Sequence, residues 1–136
     1  VLPIGLALQQ ATKQVQAAFE AALAAEGGST STWLVLLALK TQGGANQRGL
    51  ADHLGLRQPT VTHHLAGLEA AGLVTRQRDP SNRRAQTVTL TDEGEAMFHR
   101  LRTVAVRFDG QLREGIREAE LDAFRGVLDR LVANAG

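Results

Sequence analysis

Apolar residues recur through the first 25 positions at the spacing of a single helix face. Leu8, Val15, Ala18, Phe19, Ala22 and Leu23 share that face and predict a helix from about Ile4 to Ala25. Gly27-Gly28 breaks it, and Ser29, Thr30 and Ser31 offer caps for a second helix, about Thr32 to Thr41. The longest apolar run, Trp33 to Leu39, lies there, as expected of a helix covered on most sides, and Gly43-Gly44 ends it. A short third helix follows from Gln47 to Leu54, with Asn46 as its N-cap, Leu50, Ala51 and Leu54 facing inward, and Gly55 as its stop. A fourth helix opens at Gln58-Pro59, with proline in the first turn, and ends at Gly72. Val61, Leu65 and Leu68, at i, i+4 and i+7, mark its inner face.

The pattern then changes period. Leu73 to Arg78 alternates as a strand, Asp79-Pro80-Ser81-Asn82 is a turn, and Ala85 to Leu90 reads as a second strand. Thr91-Asp92-Glu93 opens a long helix with a capping threonine and two acids that suit the helix dipole. Phe98, Leu101, Ala105, Phe108 and Leu112 follow along it, and Gly110 and Gly115 predict a weak point or bend. A last helix, about Glu118 to Ala133, aligns Leu121, Phe124, Leu128 and Leu131.

The formal net charge of the 136 residues is +1 and decides little, but its distribution does more. Asn46 to Leu90 holds six arginines (Arg48, Arg57, Arg76, Arg78, Arg83 and Arg84) against Asp52, Glu69 and Asp79, a local charge of +3. Arginine forks onto phosphate and guanine, so a basic middle between near-neutral or acidic flanks fits a polyanion-facing module, although a solvated charged face carries the same residues. There is no cysteine, which excludes disulfides and thiolate metal sites and fits a cytoplasmic protein. No apolar run approaches a membrane span. The start, Val1-Leu2-Pro3-Ile4-Gly5, has neither a basic leader nor an initiator methionine, so a few preceding residues are expected.

Short helix, glycine turn, second helix and basic hairpin form the order of a winged helix-turn-helix. The expected fold is mainly α with a small β-hairpin. Residues 31–91 form the winged helix-turn-helix, and residues 1–30 and 92–136 form a helical dimerisation region from the N- and C-terminal helices. The third helix braces the fourth, whose start can enter a major groove. The candidate DNA-facing residues are Arg57, Gln58, Thr60, Thr62, His63 and His64 there, and Arg78, Arg83 and Arg84 on the hairpin. Glutamine can pair with adenine, threonine with a thymine methyl or a phosphate, and wing arginines with a narrow minor groove.

These residues resemble the multiple-antibiotic-resistance regulator (MarR) family. The likeness runs through Leu50-Ala51-Asp52-His53-Leu54-Gly55-Leu56, Thr60-Val61-Thr62-His63-His64-Leu65 and Leu68-Glu69-Ala70-Ala71-Gly72-Leu73-Val74. It continues in Arg78-Asp79-Pro80-Ser81-Asn82-Arg83-Arg84 and in Val88-Thr89-Leu90-Thr91-Asp92-Glu93-Gly94, where the Leu-Thr-x-x-Gly ending is its most specific part. The resemblance implies a homodimer built through the first, fifth and sixth helices. It also implies binding to a palindromic operator, usually as a repressor, with release by a small ligand. Two positions depart from the family pattern: His63 stands where arginine is frequent, and Asn82 where aspartate is.

Dimerisation also follows without the family, because apolar stripes on the terminal helices exceed what a small winged module can cover. An isologous two-fold pair closes, and its two reading helices would meet an inverted repeat. The partners expected are therefore double-stranded DNA, a second copy and a small-molecule effector whose site the sequence does not assign; Trp33 either belongs to the core or lines a pocket for it. The four histidines are His53, His63, His64 and His99. The spacing of Glu95 and His99 serves a helix ion pair as well as chelation, so neither a metal nor a cofactor is assigned. No nucleophile triad, phosphate loop or dinucleotide fingerprint is present, so no enzyme is expected. The competing class is a winged-helix module that binds protein, which would not need Arg83, Arg84, Thr60 or Thr62.

Overall fold

The computed structural model describes residues 1–42, 47–79 and 82–136, with side chains for all of these except 47–48, 79 and 82–86. The elements are α1 (Ile4–Ala24), α2 (Thr30–Gln42), α3 (Gln47–Leu54), α4 (Gln58–Ala70), β1 (Val74–Asp79), β2 (Asn82–Leu90), α5 (Asp92–Arg113) and α6 (Glu118–Ala135). The order and types match the sequence pattern. The Asn46 cap, the Gly43-Gly44 stop and the Pro80-Ser81 part of the turn lie outside the described residues.

Three boundaries differ, each for a local reason. Helix α2 begins at Thr30 rather than Thr32 because Ser29 is the cap: its Oγ accepts the Thr32 N–H at 3.0 Å, and its carbonyl accepts the Trp33 N–H at 2.9 Å. Strand β2 begins at Asn82 rather than Ala85. The antiparallel pairing is regular from Val74↔Leu90 to Arg78↔Gln86 and then steps to Asp79↔Asn82. Arg83 and Arg84 thus belong to the strand, inside this irregular step, near the far end of the hairpin. Gly110 does not interrupt α5, which runs on to Arg113; the chain reverses at Gly115, where φ is +78°.

The chain forms two compact units, residues 1–105 and 106–136. The first has one continuous core. Helix α2 buries Trp33, Val35, Leu36, Ala38 and Leu39; it meets Leu50 and Ala51 of α3 and Val61, Leu65 and Leu68 of α4. The hairpin contributes Val74 and Val88, while its alternate residues Thr75, Thr87 and Thr89 face solvent. Leu23 at the end of α1 and Phe98 and Leu101 of α5 close the core. Three residues of the expected α5 stripe, Phe98, Leu101 and Phe108, are buried in the chain. Trp33 stacks on Phe98 with ring centroids 5.6 Å apart and planes 14° from parallel. It is a core residue and does not line the cavity described below.

Upstream of Phe19, α1 leaves Ile4, Leu6, Leu8 and Val15 exposed. In the second unit, the end of α5 and α6 are joined by a turn in which Arg113 pairs with Asp109 at 2.7 Å and Glu118 at 3.4 Å. Glu120 accepts the Arg117 backbone N–H at 3.2 Å, half of a capping box. Leu112, Phe124, Val127 and Val132 remain exposed there. Among the described residues, no helix is long and apolar enough to cross a membrane.

Candidate nucleic-acid interface

The turn between α3 and α4 fixes how α4 is presented. Gly55 takes φ +66°, and Leu56 N–H reaches back to the Ala51 carbonyl at 3.0 Å, closing α3 in a Schellman arrangement. A side chain at Gly55 would be strained in that conformation. Arg57 is extended, and its carbonyl accepts the Thr60 and Val61 N–H groups, both at 3.1 Å, so α4 starts without a side-chain cap. Pro59 lies in the first turn, where a missing N–H leaves nothing unpaired. Val61 and Leu65 are fully buried against α2 and α3, so the helix cannot roll about its axis without exposing them.

That anchoring puts Arg57, Gln58, Thr60, Thr62 and His63 on the exposed side of α4. Thr62 Oγ1 donates to the Gln58 carbonyl at 2.9 Å, which fixes its rotamer. His64 is half-buried on the flank of the helix, and the two imidazole centroids are 6.0 Å apart. His63 and His64 also line a cavity beside α4, a second environment that no periodicity in the sequence marks.

An ion pair ties the hairpin to α4. Arg76 Nη2 meets Glu69 Oε1 at 3.0 Å, and this hydrogen bond from Arg76 holds the Glu69 carboxyl below its ordinary value. Arg76 lies along the inner side of β1 with its head on Glu69, so this arginine is engaged inside the module. Residue spacing does not reveal the pair, because it depends on how the hairpin returns across the end of α4. Arg78 is exposed on β1; among the described residues neither it nor Arg57 forms an ion pair. Arg83 and Arg84 are placed by their backbone only, on β2 near the far end of the hairpin.

The base of the hairpin is fastened to α5 by Thr91. Its Oγ1 donates to the Gly72 carbonyl at 2.6 Å and accepts the Gly94 N–H at 3.0 Å. Its N–H donates to the Leu73 carbonyl at 3.1 Å. A Cβ at Gly94 would collide with that same Leu73 carbonyl, so the Leu-Thr-x-x-Gly sequence is a close backbone approach secured by a cap.

Other histidines have local partners. His53 Nδ1 meets Gln42 Nε2 at 2.7 Å, joining α3 to α2. His99 Nε2 lies 3.8 Å from Glu95, whose carboxylate is also held by Lys40 at 2.9 Å. Among the described residues, no three of His, Cys, Asp and Glu converge as a metal site would require.

Residues 29–85, spanning α2 to the second strand of the hairpin, match the MarR family model. The HTH-type transcriptional regulator YwoH of Bacillus subtilis (strain 168) is 32% identical over 95 residues, 70% of this chain and 69% of that protein. The chain belongs to the MarR family. Two solved structures carry the likeness over nearly the whole of this MarR-family chain. The transcriptional repressor CouR bound to a 23-mer DNA duplex is 32% identical, with a TM-score of 0.85, covering 96% of this chain and 92% of that one. CouR from Rhodococcus jostii RHA1 bound to p-coumaroyl-CoA is 30% identical, with a TM-score of 0.78, covering 94% and 90%. The expected fold, a winged helix-turn-helix with flanking helices, is that of a MarR-family transcriptional regulator.

Proposed function

We propose that this chain is a homodimeric repressor that reads an inverted-repeat operator and is released by a small molecule. The observation that carries the DNA reading is the anchored α4. Its buried Val61, Leu65 and Leu68 fix which side points outward, and that side begins with Arg57, Gln58, Thr60, Thr62 and His63. His64 stands at its margin, and Arg78, Arg83 and Arg84 extend the basic surface along the hairpin. In this reading α4 enters the major groove and the wing arginines reach the adjacent minor groove. A CouR structure with its DNA duplex supports the docking mode.

The dimer surface would combine the uncovered parts of α1 with residues 106–136, where Leu8, Val15, Leu112, Phe124 and Val127 are exposed. Two-fold pairing would bury both patches and set two copies of α4 on successive major-groove faces. In this role the protein works in the cytoplasm and carries out no catalysis.

The test is fluorescence anisotropy with the intergenic DNA beside the coding region, titrated with salt. Binding should tighten at least a hundredfold over random duplex and weaken steeply as salt rises. Arg83→Ala/Arg84→Ala should lower the log–log salt slope by about 0.9 for each phosphate no longer neutralised. Equal affinity for random and intergenic DNA, unmoved by these substitutions, would instead favour a protein-binding winged helix.

A further inference from the structure

From Gln58 to Leu68, the only ionisable side chains of α4 are His63 and His64. Arg57 precedes the helix, and Glu69 near its end is engaged by Arg76. His63 is exposed and His64 half-buried beside it, with ring centroids 6.0 Å apart. Among the described residues, neither imidazole is paired with a carboxylate. The elements packed around α4 leave them so. They share the cavity beside α4 with Gly67 of the same helix, Ser31 and Thr32 of α2 and Met97 of α5, none of which ionises. Arg100 reaches that wall by donating to Met97 Sδ at 3.3 Å, and it brings a cation rather than an acid. Glu26, beside Gly27 in the α1–α2 turn, and Glu93, one turn before Met97, are exposed and form no ion pair among the described residues. On α3, Asp52 is exposed and His53 is held by Gln42; on β1, Arg76 is engaged by Glu69 and Arg78 is exposed.

Histidine changes charge between about pH 5 and 8, and both of its ring nitrogens donate only when it is protonated. Two imidazolium rings 6.0 Å apart repel each other, and a phosphate backbone is a counter-charge that offsets the repulsion. We propose that His63 and His64 couple DNA binding to proton uptake. Docking of α4 draws protons from solvent onto the pair; His63 donates to a phosphate oxygen, and His64, at the margin, adds a second charge. The coupling rests on the proposed docking of α4 in the major groove and gives it a regulator. DNA favours the protonated form, so affinity rises as pH falls through the histidine range and is lost as pH climbs above it.

The test is fluorescence anisotropy on the full chain with the intergenic DNA and with a random duplex, from about pH 8 to about pH 5.5 at several salt concentrations. Affinity for both duplexes should rise roughly tenfold or more towards acid, because both present phosphates. The log–log salt slope should steepen by about 0.9 for each imidazolium that neutralises a phosphate. His63→Gln/His64→Gln should flatten both trends, and His53→Gln/His99→Gln should keep them. His63→Arg, whose charge is fixed, should tighten binding at about pH 8 and lose most of the pH dependence. Titration calorimetry at about pH 7, in buffers of different ionisation enthalpy, should show proton uptake on DNA binding by the wild type and none by His63→Gln/His64→Gln. Binding that is flat with pH, or a pH dependence retained in His63→Gln/His64→Gln, would overturn the coupling and leave the docking of α4 standing. Binding of neither duplex at any pH would refute the docking, and the coupling with it.

Discussion

Replacing Gly94 by alanine separates two effects of opposite sign. In a helix, alanine is favoured over glycine by up to about 1 kcal/mol, so propensity alone predicts a more stable protein. The position contradicts propensity, because the new methyl would collide with the Leu73 carbonyl, a backbone atom that cannot swing aside. Overpacking of this kind destabilises by about 1–3 kcal/mol. Moving that carbonyl also strains the hydrogen bond it accepts from Thr91 N–H, which adds roughly 0.5–1.5 kcal/mol. The net expectation is a loss of about 2 kcal/mol, equivalent to a Tm fall of roughly 8 °C for a chain of this size. The control lies in the same helix: a methyl at Gly110 would meet nothing within 4 Å, so Gly110→Ala should raise Tm by a few degrees. Both are read by calorimetric melting. A Gly94→Ala protein that melts at or above the wild type, beside a stabilised Gly110→Ala, would refute the argument that close approach outweighs propensity here.

Further outcomes follow from the same geometry. Leu65→Ala removes a fully buried side chain from the inner face of α4 and should lower unfolding free energy in urea by about 2–5 kcal/mol. Ser29→Ala removes the cap of α2 and should cost about 1 kcal/mol in the same assay, without altering a DNA-facing side chain. Glu69 is held below its ordinary value by Arg76, so its ion pair favours the folded state above the unfolded carboxylate value and is lost as pH falls through the lower folded one. The difference in urea midpoint between wild type and Glu69→Gln should therefore be small at pH 7, shrink in high salt, and vanish in acid.

Much of this is legible in the sequence because helices with one buried face announce themselves. Val61, Leu65 and Leu68 give the orientation of α4 directly, and Gly55 gives the turn before it. Features made by return of the chain are not legible. The Glu69–Arg76 pair needs the register of β1 against the end of α4. The cavity needs the α1–α2 turn, α4 and α5 together, and neither Ser31 nor Gly67 carries a periodic signal. The length of β2 is not legible either, since an irregular step in pairing has no signature in Arg83-Arg84-Ala85. Trp33 is legible only as an alternative between core and pocket; its stacking on Phe98 decides for the core.

The bond between Glu69 and Arg76 also bears on how such regulators can be recombined. One partner stands on α4 and the other on the hairpin, 3.0 Å apart. A hairpin transplanted alone into another scaffold would bring a guanidinium whose acceptor stayed behind. The donor left with a foreign hairpin would keep an unpaired carboxylate at the end of α4. Helix and wing are thus a single exchangeable cassette, and a chimera that respects this boundary must carry positions 69 and 76 together.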